Sequence, residues 1–425
     1  MRKSSNTNLL YYFSITVVTS LLSLISIPTT IHFLGGSIWG AISLGQVIGN
    51  ITGIFIALGS VINGPSLISK STSSQIQHIL RISTRIKVII LLPASVVSFT
   101  ASFFIAHNHN FIAGISSILI NFSALSFSWF FIGKEQPGKL WLLEVLPRSF
   151  GVTLSLISLI ITKSIFIYFA LQILMIILSY ASSYLYLRDR TLEDISDRPS
   201  VRQYYEYFTN QMRSLETVIY SATYLALPLI LIARIAPDAL ASYAIGDKIV
   251  RYFSLVSGPL TQWLQGWVPN AANLVEMKSR IRKNIRINSS FGLVSAIIIL
   301  FFGDYFTQIM SQHQLHLTIS SMIPISISVF LSFTARGTGI VGLISMGFDK
   351  HVSRSALLGA IASLPLLLLL IHNFSYVGAF WSLMFSQSLV LGYQVLFLVR
   401  FMEPGRRQKN PDKEVIMSTK GIKFD

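Results

Sequence analysis

The chain has 425 residues, of which 52% are hydrophobic and only 12% are charged, and its mean hydropathy is +0.62. Because a soluble domain carries about 25% charged residues, this composition excludes an ordinary soluble protein. The sequence contains no cysteine, which excludes disulfides and thiolate metal sites, and its net charge is +16.

Apolar runs of about 20 residues recur along the chain, and each can cross a hydrocarbon core ~30 Å thick. They predict twelve transmembrane helices, near residues 9–31, 39–64, 86–106, 111–133, 140–162, 165–187, 214–233, 239–268, 288–310, 317–343, 353–372 and 375–401. The first run is long for a signal peptide and lacks a cleavage pattern, so we expect it to be retained. The predicted fold class is an all-α integral membrane protein.

Basic residues fall on alternate sides of these helices. Of the 33 Lys and Arg residues, 27 lie in the N-terminus, in every second loop or in the C-terminal tail, two lie in the other loops, and four lie within helices. The positive-inside rule therefore predicts both termini in the cytoplasm, which fits an even number of helices. The charge excess then serves orientation and attraction to anionic lipids, and no nucleic acid is expected as a partner.

The longest internal loop, at 188–213, is charged and divides the helices into two sets of six. We predict an N-lobe at 1–187, a cytoplasmic linker at 188–213, a C-lobe at 214–401 and a cytoplasmic basic tail at 402–425. The tail is polar and contains two prolines, so we expect it to be disordered.

One face of the eighth predicted helix is polar. At 100° per residue it carries Asp247, Arg251, Ser254, Gly258, Thr261 and Gln265. Subtracting 201 gives Gln46, Asn50, Gly53, Ala57, Ser60 and Gly64 of the second helix, and the stretches "GQVIGN" (45–50) and "GDKIVR" (246–251) anchor this offset. The pattern favours a parallel repeat of six helices, a common transporter plan, although a match of six residues also arises by chance.

Charges within these helices are costly, at ~2.5–3.5 kcal/mol each near the bilayer centre. Lys248 and Arg251 lie roughly 13–18 Å into the eighth helix, close to the midplane. Asp247 is four residues from Arg251, so the two can pair, as can Glu144 and Arg148 on the fifth helix. Two interpretations remain open: salt bridges that only pack helices together, or a polar cavity that binds a substrate.

Basic residues outnumber acidic ones at the deep positions, and a cavity with surplus positive charge favours an anion. Arg suits a phosphate through its planar fork, and Lys suits it as a point charge. The candidate substrate-binding residues are Arg251, Lys248, Arg148, Arg336, Asn50 and Gln46. The candidate gating or coupling residues are Asp247 and Glu144, whose carboxylates would repel an anion.

Motifs of other chemistry are absent from the sequence. It has no Walker phosphate loop, no G-x-G-x-x-G after a strand and no H-E-x-x-H. The eight histidines are scattered or lie in predicted outer loops. We therefore expect no catalytic residues and no metal site.

Several stretches resemble the polysaccharide-precursor flippases. The stretch "IPTTIHFLGGSIWGAISLGQVIGNITGIFIALGSVINGP" (27–65) resembles their opening, and "SWFFIGKE" (128–135) resembles their fourth-helix signature, W-F-F-x-G-x-E. The stretch at 243–270 resembles their eighth helix, while 345–361 and 376–389 look like their tenth-to-eleventh junction and twelfth helix. Together these stretches cover about a quarter of the chain, in the expected order. The chain is thus similar to the Wzx-like O-antigen flippases, within the superfamily that also holds the MATE drug exporters.

The resemblance implies two six-helix lobes around a central cationic cavity, with alternating access. It implies a non-enzymatic flippase in the bacterial inner membrane that moves undecaprenyl-diphosphate-linked repeat units of O-antigen, as in lipopolysaccharide biosynthesis, or of another surface polysaccharide. The partners it implies are this lipid-linked substrate, membrane lipids, a polysaccharide polymerase and a chain-length regulator. No cofactor is expected beyond a coupling ion, H⁺ or Na⁺.

Three alternatives remain. A MATE-like exporter of small organic cations would be expected to carry a buried acid in the first helix, and this helix has none. Lipid II flippases would be expected to carry buried basic residues there and two further helices. A membrane-embedded glycosyltransferase or polymerase would need long outer loops, whereas the predicted outer loops are short.

Overall fold

The computed structural model describes residues 2–58, 60, 64–65, 67–68, 71–191, 204–205, 207–209, 226–268, 271–346 and 348–402. These residues are almost entirely helical, and no β-strand occurs among them. The predicted all-α class is therefore confirmed. The predicted linker at 188–213 and the basic tail lie largely outside the described residues, so the lobe boundaries stay predictions.

The α-helices whose bounds the structure describes are numbered here in chain order. They are α1 (Arg2–Leu34), α2 (Gly36–Ala57), α3 (Ser73–Ile105), α4 (Asn110–Ser123), α5 (Ser128–Gly133), α6 (Pro137–Leu140), α7 (Leu146–Thr162), α8 (Ile165–Thr191), α9 (Ala226–Ile235), α10 (Leu240–Trp267), α11 (Leu274–Met310), α12 (Ile319–Ala335) and α13 (Asp349–Met402). Two π-helices, Trp141–Val145 and Arg336–Leu343, continue α6 and α12, and a 3₁₀ turn at Pro237–Ala239 precedes α10.

Nine helical stretches among the described residues are long and apolar enough to cross a membrane. The last of them lies in α13, which is kinked at Ser375 and contains both the eleventh and twelfth predicted helices. The eighth predicted helix is α10, whose midsection carries three charges. The seventh is described only from Ala226 onward. The chain is thus a multi-pass membrane protein, while the side on which its termini lie stays a prediction.

Two helices begin well before their apolar runs. The third and ninth helices were predicted to start near residues 86 and 288, but they start at Ser73 and Leu274. At the first start, Thr72 and Gln75 form a capping box, in which the Thr72 N–H donates to Gln75 Oε1 at 3.0 Å. At the second, the Glu276 N–H donates to Asn273 Oδ1 at 2.9 Å. These caps satisfy the free N–H groups of polar helix starts outside the hydrocarbon core.

Helix starts repeat at the offset found in the sequence. Residues 36 and 237 begin helical structure after the first and seventh predicted helices, and residues 73 and 274 begin α3 and α11. Both pairs are 201 residues apart. The offset that "GQVIGN" suggested thus recurs in helix starts and in their caps, which favours a duplicated plan over chance.

The chain divides into two compact units. The first contains the described residues of 1–245 and 305–317. Its α2 packs closely on α4, since a Cβ at Gly45 would lie 2.1 Å from the Ala113 carbonyl oxygen and one at Gly49 would lie 2.6 Å from that of Ser117. Small residues spaced four apart allow such close packing of membrane helices.

The second unit contains the described residues of 246–304 and 318–402. Its α12 packs on α13. One hydrophobic cluster joins α10, α11, the second π-helix and α13, and its buried members are Leu264, Val268, Ile281, Val341, Leu343 and Leu398. This cluster packs the π-helix against the C-terminal end of α10.

Candidate functional site

The predicted ion pair of α10 is formed. Arg251 Nε lies 2.6 Å from Asp247 Oδ2, four residues earlier on the helix. The Arg251 side chain is 44% exposed and that of Asp247 is 16% exposed, so the guanidinium is reachable although it is paired. Lys248 is half-buried and directly follows Asp247.

Arg336 reaches the same stretch of α10 from the second π-helix. Its Nη1 donates to the main-chain carbonyl of Ser254 at 2.8 Å, and Ser254 lies about one helical turn beyond Arg251. We call Asp247, Lys248, Arg251 and Arg336 the α10 cluster. It contains three basic groups and one acid within one unit, so its net charge is positive.

Glu144 and Arg148 lie in the first unit and hold a break in the chain between α4 and α5. Arg148 donates from Nη1 to the Ser123 carbonyl (3.1 Å) and from Nη2 to the Leu125 carbonyl (2.7 Å). The break needs such donors, because carbonyls at a helix end have no partner within the helix.

The Glu144 carboxylate serves the other end of this break. It accepts hydrogen bonds from Ser126 Oγ (2.6 Å) and from the Phe127 N–H (2.5 Å). The nearest approach of Glu144 to Arg148 is 3.7 Å, between Oε2 and Nη2. Both charges are thus committed to main chain or to each other. Roles for Arg148 in substrate binding and for Glu144 in gating stay predictions that these contacts do not favour.

Lys87 joins this group, and sequence analysis missed it by placing it with a cytoplasmic loop. Its side chain is 2% exposed, its Nζ donates to the Ser126 carbonyl at 3.2 Å, and it lies 5.1 Å from the centre of the Trp129 ring. The T-x-x-Q capping box at 72–75 could have revealed it, because a helix that starts there puts Lys87 four turns inside. We call Lys87, Glu144 and Arg148 the α4–α5 brace.

Gln46 and Asn50 lie on α2 in the first unit, beside the glycines that pack on α4. Gln46 is half-buried and Asn50 is exposed. The structure therefore places these two residues in a different unit from the α10 cluster. Gly258 and Gln265, which were predicted on the polar face of the eighth helix, lie outside the described side chains. Among described residues, no group of three or more His, Cys, Asp or Glu could hold a metal ion.

The sequence matches no protein-family model and no curated protein sequence. Solved structures do match over nearly the whole chain. One is an inward-facing conformation of a multidrug resistance MATE family transporter of the MOP superfamily, with a TM-score of 0.72 at 11% identity over 95% of this chain and 96% of that one.

Two more solved structures extend this comparison. The lipid II flippase MurJ in an inward closed conformation has a TM-score of 0.71 at 11% identity, over 92% of this chain and 87% of its own. The eukaryotic MATE transporter AtDTX14 has a TM-score of 0.55 at 14% identity, over 93% and 95% of the two chains. At these identities the likeness is one of fold: the chain has the fold shared by MATE transporters and the MurJ flippase.

Proposed function

We propose that the chain is a flippase that moves undecaprenyl-diphosphate-linked oligosaccharide repeat units across the bacterial inner membrane by alternating access. The observation that carries the proposal is the α10 cluster, in which Arg251 pairs with Asp247, Lys248 lies next to Asp247 in the sequence, and Arg336 donates to the Ser254 carbonyl of the same helix. The repeat unit would belong to O-antigen or to another surface polysaccharide, and both termini would lie in the cytoplasm.

A diphosphate is the ligand that suits this cluster best. Its oxygens accept several hydrogen bonds from planar guanidinium forks, and these bonds strengthen away from bulk water. A sugar without the diphosphate offers no charge to compensate these cations. Burying them inside a membrane protein is costly unless they line a polar path or bind a partner.

Asp247 pairs with Arg251 when no substrate is bound. Because the pair is preformed at 2.6 Å, the charge of the guanidinium is compensated by a carboxylate when no substrate is bound. A diphosphate would compete with the carboxylate for Arg251, and departure of the product would restore the pair. A gradient of H⁺ or Na⁺, or consumption of product by a polymerase and chain-length regulator outside, would supply the direction.

The alternative is an exporter of small organic cations, which a TM-score of 0.72 to a multidrug resistance MATE family transporter makes worth testing. The charge of the α10 cluster counts against it, because surplus positive charge repels cations. The fold is about equally close, at a TM-score of 0.71, to that of MurJ, which by its name moves lipid II. The two functions therefore differ in the charge of the ligand, which is an anion for the flippase and a cation for the exporter.

A binding measurement on the purified protein tests whether the ligand is an anion or a cation. We expect undecaprenyl diphosphate to bind in detergent micelles, and Arg251→Ala to weaken that binding at least tenfold. The lipophilic cation tetraphenylphosphonium should not compete. Binding of the cation but not of the diphosphate lipid would refute the flippase and support the exporter.

A deletion strain tests the transported substrate. Without this protein, undecaprenyl-linked repeat units should accumulate on the cytoplasmic face of the inner membrane, and the parental gene should clear them. Unchanged polymer and no such accumulation would count against the proposal.

A further inference from the structure

The tenth predicted helix changes its hydrogen-bonding pattern at Arg336. α12 ends at Ala335, and Arg336–Leu343 forms the second π-helix. In a π-helix the N–H groups bond to carbonyls five residues back instead of four, and such segments recur at functional sites. The Ile344 N–H, which donates to the Gly339 carbonyl, shows this spacing.

The π-helix allows Arg336 and Val341 to face α10 together. Residues five apart in an α-helix point about 140° away from each other, whereas the wider turn of a π-helix brings them much closer to one face. Arg336 donates to the Ser254 carbonyl of α10, and Val341 lies in the hydrophobic cluster with Leu264 and Val268 of the same helix. Relaxation to a regular α-helix would turn one of the two away.

Two buried amides from neighbouring helices hold this segment. Asn284 of α11 donates from Nδ2 to the Gly337 carbonyl at 2.7 Å. Thr338 donates from Oγ1 to Gln394 Oε1 of α13, also at 2.7 Å. Gly337 and Thr338 are the two residues that follow Arg336, so both contacts act at the start of the π-helix.

Each amide is oriented by a second hydrogen bond. Asn288 donates from Nδ2 to Asn284 Oδ1 at 2.8 Å, and Gln394 donates from Nε2 to Ser355 Oγ at 3.0 Å. All four side chains are buried. Inside a membrane protein no water replaces such bonds, so their loss leaves polar groups unsatisfied.

Gly339 permits Gln394 of α13 to approach the backbone of the π-helix closely. A Cβ at Gly339 would lie only 2.7 Å from Gln394 Nε2 and 2.9 Å from its Cδ and Oε1. A larger residue would push the amide away from Thr338. The sequence G-T-G at 337–339 thus fits a segment held by amides.

The first unit shows a similar arrangement with charged groups. Lys87 precedes Asn288 by 201 residues, and it donates to a carbonyl in the α4–α5 break at 3.2 Å. In both units a side chain from the third helix of the repeat lies at irregular backbone of the fourth. In the second unit the irregular backbone itself carries the cation, Arg336.

We propose that Asn284 and Gln394 are positioning residues that hold the π-helix and thereby keep Arg336 on α10, one turn from Arg251. They touch no substrate and act only through Arg336. The proposal rests on the proposed function, in which Arg336 is a ligand of the substrate diphosphate.

Cross-linking tests the positioning without any substrate. Ser254→Cys and Arg336→Cys introduce the only two thiols in the chain. Because the arginine side chain spans the gap, the two Cα atoms should be too far apart for a direct disulfide, so a short bifunctional methanethiosulfonate is the probe. We expect rapid cross-linking in the parent background and a rate about tenfold lower with Gln394→Leu.

Two further variants guard against misfolding. Thr338→Val removes the same hydrogen bond with little change of shape and should also slow cross-linking. Ser382→Ala removes a buried hydrogen bond to the Ser363 carbonyl within α13 and should not. Only monodisperse protein is compared. Parental cross-linking rates in both Gln394→Leu and Thr338→Val would overturn the proposal.

A double-mutant cycle tests the route through Arg336, with undecaprenyl diphosphate as the probe. Gln394→Leu should weaken its binding about tenfold in the parent and have no further effect beside Arg336→Ala. An equal loss in both backgrounds would overturn the positioning role. If cross-linking falls as expected but Arg336→Ala binds like the parent, the positioning stands and Arg336 is not a ligand, so the two failures are distinguished.

Discussion

Arg251 and Asp247 are joined by an ion pair of 2.6 Å on the stretch of α10 that Arg336 also reaches. The pair leaves the arginine side chain 44% exposed. An arginine that is both neutralised and accessible suits a carrier that must bind and release an anion. The same geometry makes each member of the pair separately testable.

Arg251→Ala should abolish polymer export while the protein remains in the membrane. Arg251→Lys should retain part of the activity, because the charge survives but the bidentate fork is lost. Surface polymer and membrane protein are measured together. The control is Arg234→Ala, which removes an exposed arginine outside the α10 cluster and should export normally. Parental polymer in Arg251→Ala would remove Arg251 from the site.

Asp247→Asn should bind undecaprenyl diphosphate at least as well as the parent but turn over more slowly. Arg251 then loses its ion pair with Asp247 in the empty carrier, which favours the bound anion and slows its release. Reconstituted transport measured across pH separates this from proton coupling, in which the variant would lose its pH dependence. Parental rate, affinity and pH profile would leave Asp247 with a packing role only.

Lys87→Met should destabilise the first unit strongly, because removing one charge of the α4–α5 brace leaves Glu144 with less compensation. Removing the donor from a buried hydrogen bond of this kind costs ~1–3 kcal/mol. Unfolding in detergent by denaturant titration measures the loss, and Lys163→Met is the control at an exposed lysine. Lys87→Met combined with Glu144→Gln should cost less than the sum of the single variants. Additive losses would show that the two do not act together.

Gly45→Ala should destabilise the packing of α2 on α4, since the new Cβ would lie 2.1 Å from the Ala113 carbonyl oxygen. Overpacking of this kind costs ~1–3 kcal/mol. Gly392→Ala is the matched control in α13, where nothing lies within 4 Å of the added atom. Thermal unfolding in detergent should separate the two variants, and equal midpoints would contradict the close packing.

Single cysteines at Asn50 and Ser254 should react with water-soluble thiol reagents, because each position lies on the polar face of its own helix, and the proposed function requires such faces to meet water. A cysteine at Leu255 is the control: this side chain is 53% exposed but apolar, so it should face lipid and resist such reagents. The chain has no background cysteine. Equal labelling at Ser254 and Leu255 would contradict a polar path on α10.

The sequence alone predicted the all-α membrane class, because runs of 20 apolar residues have few other stable solutions. It also predicted the two ion pairs at a spacing of four, Asp247–Arg251 and Glu144–Arg148, since helical periodicity is a local property. The offset of 201 was visible in the sequence because it joins two short stretches, 45–50 and 246–251, and the helix starts at 73 and 274 have the same spacing.

Tertiary structure decided which main-chain carbonyls the charged residues Arg336 and Lys87 bind. Arg336 lies on α10 because a π-helix and two buried amides turn it there, and Ser254 is 82 residues earlier in the chain. Lys87 became part of a brace because a break in another helix presents the Ser126 carbonyl to it. Both outcomes depend on where a helix loses its regular hydrogen bonds and on which neighbour supplies the missing partner. The periodicity of apolar and polar residues in the sequence predicts neither the position of such an interruption nor the neighbour that binds it, because periodicity assumes a regular helix.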